Sequence, residues 1–155
     1  MPKGRRNSSP LLSLPHLLHR AGQRADGLFV HHLGSEELTP RQFVVLQAVA
    51  QKEGLSQVEI VAATGIDPSS MADLVRRLIS LKLLRRRRGK RDNRTYAVRL
   101  TPEGRRALEF GIPAAQVTEE TMLAAVPPEH RQQVLDALKA MASVQDEASG
   151  KSSCD

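Results

Sequence analysis

"LSQVEIVAATGIDPSSMADLVRRLISLKLLRRRRGKRDNRTYAVRL", residues 55–100, holds two short helical segments, a tight connection between them, and then a change of period. Ser56 with Glu59 three residues on is a capping box, and Gly65 is a stop, so a helix is predicted over 57–64. Asp67 as N-cap with Pro68 at the first helical position starts a second helix that runs to about Leu81. From Leu84 to Leu100 strand-forming residues flank the turn-rich tip "GKRDN", which predicts a two-stranded ribbon.

Two helices across a short turn, followed at once by a basic hairpin, form a winged helix-turn-helix pattern. At 100° per residue, Met71, Leu74, Val75, Leu78 and Leu81 of the second helix cluster on one side. Ser69, Ala72, Asp73, Arg76 and Ser80 cluster on the other. A recognition helix needs this division, because an apolar stripe docks it while small or polar side chains enter a major groove. Ser69 and Ser70 sit in the first turn, where free N–H groups and the helix dipole favour a phosphate. Arg76 has the reach for a guanine edge or a phosphate.

Residues 84–106 carry ten Lys or Arg against Asp92 and Glu103, a local +8 in a chain of net +6, so the remainder sums to −2. Such crowding repels itself unless a polyanion neutralises it. A ribbon tip bearing Lys90, Arg91 and Arg94 suits a phosphate backbone or a minor groove. Asp92 is expected to pair with Arg94 and aim it.

Outward from this segment, Ser13 starts a helix over 14–30 whose Leu14, Leu17, Leu18, Ala21, Ala25, Leu28 and Phe29 share a face, and Gly34 follows as a stop. Thr39, Pro40 and Gln42 start another that carries Phe43, Leu46, Val49 and Ala50 and ends near Gly54. Thr101-Pro102-Glu103 opens a later helix, in which Pro113 is expected to introduce a kink or a break. A last amphipathic helix after "PPEH" puts Val134, Leu135, Leu138 and Met141 on one side. The expected fold class is therefore mainly α with a small β-wing. Its winged helix-turn-helix spans about 38–104, and dimerisation helices span about 13–34 and 104–144 of one domain, 13–146. Residues 1–12 read as a flexible basic arm and 147–155 as a disordered tail.

The chain of 155 residues is 40% hydrophobic, enough for a core, but with one Tyr, three Phe and no Trp it lacks aromatic platforms for single strands. Its single cysteine, Cys154, excludes an internal disulfide. No apolar run approaches the ~20 residues of a membrane span, and no signal-peptide pattern is present, so a cytoplasmic location is expected. No GxSxG, HExxH, P-loop or dinucleotide fingerprint occurs, which argues against an enzyme, and no cofactor is expected.

The stretch from Leu38 to Gly104 resembles the multiple antibiotic resistance regulator (MarR) family, through "LTPRQF", "LSQVEIVAATGI", "DPSSMADLVRRL", the Asp92-x-Arg94 tip and "RLTPEG". The resemblance implies a winged-helix homodimer on a palindromic double-stranded operator, acting as a repressor and released by a small aromatic or phenolic acid or its thioester. The residues expected at DNA are Ser56, Gln57, Pro68, Ser69, Ser70, Asp73, Arg76, Arg77, Arg88, Lys90, Arg91 and Arg94. Family wings commonly have a Pro-containing, mixed-charge tip, unlike "RRRRGKRDNR". A basic residue often stands where this chain has Asp73, an acid that suits either a cytosine amino group or the orienting of Arg76 or Arg77.

His16 and His19, three residues apart beside Arg20 and Gln23, admit three readings: solvated or packing side chains, an effector pocket, or a metal site. Structural zinc normally takes four protein ligands, and little here completes such a set, so no metal is assigned. The resemblance implies an effector between this helix, the Phe43 helix and the DNA-binding lobe, with His16, His19, Arg20, Gln23, Phe43 and Leu46 as candidate contacts. Two alternatives stay open: an architectural DNA-binding protein without effector, and a metal-responsive regulator using the N-terminal histidines.

Overall fold

The computed structural model describes residues 13–34, 38–88 and 96–144. In chain order it contains α1 (Leu14–Leu33), α2 (Pro40–Gln51), α3 (Gln57–Thr64), α4 (Pro68–Ser80), β1 (Leu84–Arg88), β2 (Tyr96–Leu100), α5 (Pro102–Ala124), a 3-10 turn (Pro128–His130) and α6 (Arg131–Ala142). The mainly helical class with one β-ribbon follows the sequence reading. The described residues up to Glu120 form one compact unit and those from Thr121 a second.

Capping chemistry sets most helix starts. Thr39 Oγ1 accepts from the Gln42 N–H at 3.2 Å while Gln42 Oε1 accepts from the Thr39 N–H at 3.0 Å. Ser56 and Glu59 repeat the exchange at 3.3 and 2.8 Å. Each box satisfies two N–H groups that the helix itself leaves unpaired. Ser13 occupies the N-cap position of α1 but makes no side-chain cap bond. The α1 helix continues three residues past the predicted end at Val30, because Leu33 joins the core and Gly34, at φ 70°, closes the last turn. By contrast α2 stops at Gln51, short of Gly54.

Met71, Val75 and Leu78 of α4 are fully buried, packed in one cluster with Val45, Leu46 and Val49 of α2, Ile60 of α3, Leu84 and Val98 of the ribbon, and Phe29 and Leu33 of α1. Phe29 and Phe43 meet with ring centroids 5.2 Å apart. Burying a side chain of this size is worth about 1.5–3 kcal/mol, so the cluster holds the helix-turn-helix and the base of the ribbon as one body.

β1 and β2 pair antiparallel, with Leu84 opposite Leu100, Arg86 opposite Val98 and Arg88 opposite Tyr96. The ribbon is anchored at its base by a third segment: the Gly54 N–H donates to Val98 O at 3.2 Å, and the Val98 N–H donates to Leu55 O at 2.8 Å. The joint between α4 and β1 places Lys82 at φ 61°, an uncommon conformation for a residue with a side chain. Thr101 Oγ1 donates toward Lys82 O at 2.6 Å and Leu83 O at 3.1 Å, and accepts from the Gly104 N–H at 2.9 Å. The start of α5 is thereby tied to the end of α4.

Pro113 does not break its helix: α5 runs unbroken through it. Proline removes one N–H, here the one directed at the carbonyl of Glu109, and that residue is exposed, so water can satisfy the carbonyl. Within the second unit, Arg131 Nε donates to Val126 O at 3.1 Å, closing the bend that precedes α6.

Candidate nucleic-acid interface

The turn between α3 and α4 is built from local bonds. Gly65, at φ 69°, ends α3, with its N–H donating to Val61 O. Thr64 Oγ1 donates to Ile60 O at 2.8 Å and accepts from the Ile66 N–H at 3.3 Å. Asp67 Oδ1 then caps α4, accepting from the Ser70 N–H at 2.9 Å. The Ser70 hydroxyl, and after it the Ser70 backbone N–H, holds the Asp67 carboxyl below the usual carboxylate range. Glu59 is lowered likewise, first by the Ser56 backbone N–H, then by the Ser56 side chain and Lys52.

With Met71, Val75 and Leu78 buried, α4 exposes Pro68, Ser69, Asp73, Arg76, Arg77 and Ser80, while Ser70 is half-buried. Arg76 Nη1 donates to Asp73 Oδ1 at 2.7 Å, which selects Arg76 over Arg77 as the partner of that acid. Arg77 takes another direction and lines a cavity of about 980 Å³ with Leu81, Leu83, Leu33, Leu38, Thr39, Gln42, Glu103, Arg106, Ala107 and Phe110.

Arg85, Arg86, Arg87 and Arg88 are all exposed on β1. Arg86 Nη2 donates to Gln57 Oε1 at 3.3 Å, joining the wing to the first residue of α3. Ser56 and Gln57 are half-buried, occupied by the capping box and by this bond. Not every cation of the basic segment is free. Arg99 and Arg105 both bond the Glu53 carboxylate, and Arg106 bonds Glu103 at 3.0 Å. The tip residues Lys90, Arg91, Asp92 and Arg94, with the proposed Asp92–Arg94 pair, lie outside the described residues.

The six candidate effector contacts are not gathered at the cavity, and none lines it. His19, Arg20 and Gln23 are exposed and His16 is half-buried, all in the first half of α1, whereas Phe43 and Leu46 lie in the core. Arg77, expected at DNA, is exposed and also lines this cavity with Arg106 and Phe110, which carry no sequence motif that singles them out. On a helical projection Arg77 falls beside Leu81, about 100° from Arg76. Among the described residues no three His, Cys, Asp or Glu side chains are grouped as a metal ion requires.

Comparison with known proteins agrees with this architecture. The MarR family profile matches residues 37–95. The chain is 30% identical over 143 residues to the HTH-type transcriptional repressor NicR of Pseudomonas putida, covering 87% of this chain and 90% of that one. The chain belongs to the MarR family. Its members are transcriptional regulators rather than enzymes. Among solved MarR-type structures it resembles BpsR of Bordetella bronchiseptica, whose DNA binding is regulated by 6-hydroxynicotinic acid. That match has 31% identity and a TM-score of 0.82, over 88% of this chain and 98% of BpsR. The repressor CouR, solved on a 23-mer DNA duplex, matches at 27% identity and a TM-score of 0.75, over 84% and 92% of the two chains. Among the described residues of this MarR protein no helix is long and apolar enough to cross a membrane.

Proposed function

We propose that this chain is an effector-responsive transcriptional repressor that binds a palindromic duplex as a homodimer. In this reading α4 of each protomer enters a major groove and the arginine ribbon follows the flanking phosphates. The observation that carries the reading is the division of α4: Met71, Val75 and Leu78 are buried in the core, while Ser69, Asp73, Arg76 and Ser80 are exposed, as are the four arginines of β1. Phosphate contacts supply the affinity and the α4 side chains supply the choice of sequence. The homodimer reading draws on family membership and on apolar side chains left exposed, namely Leu14, Leu17 and Leu18 on α1 and Leu138 and Met141 on α6.

The effector is a small aromatic carboxylic acid. The cavity suits it, having apolar walls from Leu33, Leu38, Leu81, Leu83 and Phe110, the guanidinium of Arg77, and that of Arg106, which a ligand carboxylate would share with Glu103. A guanidinium binds a carboxylate bidentately, and the apolar walls accept a ring. Arg77 belongs to α4, so a ligand held there acts directly on the helix that reads DNA. The likeness to BpsR makes 6-hydroxynicotinic acid the first compound to test.

The test is a thermal shift with 6-hydroxynicotinic acid and benzoic acids, followed by release of a duplex selected by the protein from a random pool. A ligand at 100 times its Kd stabilises by about 2.7 kcal/mol, a readily measured rise in Tm. A compound that stabilises the protein and releases the duplex supports the reading; no shift and no release with any of them favours an effector-free DNA-binding protein. Arg106→Ala and His19→Ala, measured in parallel, separate the cavity from the α1 candidates His16, His19, Arg20 and Gln23.

A further inference from the structure

Glu53, in the turn between α2 and α3, is the acid at which three parts of the winged domain meet. One carboxylate oxygen accepts from Arg99 Nη1 on β2 at 3.2 Å, and the other accepts from Arg105 Nη2 in the first turns of α5. The Arg99 guanidinium lies against Gly54, where an added Cβ would stand in ordinary van der Waals contact, 3.6 Å from Arg99 Nη2. Arg99 Nε is buried without a partner among the described residues, so this side chain holds its position at a desolvation cost. Arg99 is also the register partner of Arg85. Two like charges directly opposite on a ribbon destabilise it, and the Glu53 carboxylate on one of them offsets the repulsion.

From this arrangement we infer that Glu53 is a positioning residue for DNA binding. It aims the wing by locking the return strand to α5, and it contributes no contact to DNA itself. The backbone bonds from Gly54 and Leu55 to Val98 fix the base of β2, and the carboxylate bridge fixes the outward face that carries Arg85 and Arg99. Glu53 thus withdraws Arg99 and Arg105 from the cations available to phosphate while ordering those that remain. The inference rests on the wing contacting DNA, as proposed above.

Glu53→Gln separates aiming from bulk charge, because the two predict opposite signs. Removal of an acid from a cationic face strengthens binding to any polyanion on charge alone. Loss of aiming weakens binding only where the wing has to reach defined phosphates. The experiment measures Kd against salt for two duplexes of equal length, one selected by the wild-type protein from a random pool and one scrambled, alongside Tm. Expected for Glu53→Gln is a loss of about two- to tenfold on the selected duplex, the scale of re-ordering a long side chain on binding, with equal or tighter binding to the scrambled one. Tm should stay close to wild type, as exposed ion pairs contribute little to stability. Glu53→Asp keeps the charge but is too short to bridge both arginines, so it should share part of the loss on the selected duplex alone. Tighter binding of Glu53→Gln to both duplexes would overturn the inference, as would wild-type behaviour of both variants. A fall in Tm with equal losses on both duplexes would assign Glu53 to folding instead. Failure of the wild-type protein to select any duplex would remove the DNA-binding reading and this inference together.

Discussion

Asp73 and Arg76 form a 2.7 Å ion pair on the exposed face of α4, one turn apart, with each side chain about three-quarters exposed. The acid that resembled a departure from the family pattern is therefore engaged with the arginine beside it. An exposed pair of this kind contributes well under about 1 kcal/mol to stability, so its importance lies in where it points Arg76.

Asp73→Ala should leave Tm unchanged and broaden the sequences selected from a random duplex pool. Random DNA should be bound more tightly, because an acid has left the exposed surface of α4 while Arg76 is free to rotate. Selection of an unchanged motif by the variant would show that the pair plays no part in readout.

Arg76→Ala should relax preference at one base pair of each half-site. A good bidentate arginine–guanine contact discriminates by about 1–3 kcal/mol, so selection at that position should flatten while the other positions persist. Equal loss on selected and random duplexes would instead assign Arg76 to a phosphate.

Arg85→Ala and Arg87→Ala bear on the wing, since both residues are exposed on the side of β1 opposite Leu84. Each phosphate contact removed should reduce the slope of log K against log salt by about 0.9. A slope identical to wild type in both variants would place the ribbon's outer face away from DNA.

Gly104→Ala is expected to be severely destabilising. A Cβ at this position would stand 2.0 Å from the Leu83 carbonyl oxygen, which is backbone and cannot swing aside. Thr101 binds the same carbonyl, so α5 and the α4–β1 joint would have to separate. Thermal unfolding checks this; a Tm near that of wild type would mean that the joint yields easily.

The two acidic caps predict the acid limb of stability. Folding lowers the pKa of Asp67 through Ser70, and that of Glu59 through Ser56 and Lys52. Because the folded values lie below the unfolded ones, this stabilisation is complete above the ordinary carboxylate pKa and is lost as pH falls through the lowered values. Tm should therefore fall toward acid pH, with a shallower fall in Asp67→Asn. An unchanged acid limb in that variant would remove Asp67 from the account.

Local chemistry is what the sequence alone determined. The boxes at Thr39/Gln42 and Ser56/Glu59, the Asp67 cap and the glycine stops at 34 and 65 each depend on residues a few positions apart, and each is present in the fold, as are the paired strands 84–88 and 96–100. The buried stripe of α4 was legible for the same reason, since helical period alone brings Met71, Val75 and Leu78 to one side. Tertiary structure decided which charges are occupied and which walls enclose a cavity. Glu53 meets Arg99 and Arg105 from 46 and 52 residues away. Arg77 shares the cavity with Leu33 and Phe110 only because the fold brings residues of α1, α4 and α5 around one space. The effector contacts that the resemblance implies are spread between exposed positions His19, Arg20 and Gln23 of α1 and the core residues Phe43 and Leu46. Side-chain type and local spacing specify a cap or a face, whereas an ion pair or a cavity wall is specified only when packing brings distant segments within a few ångströms of each other.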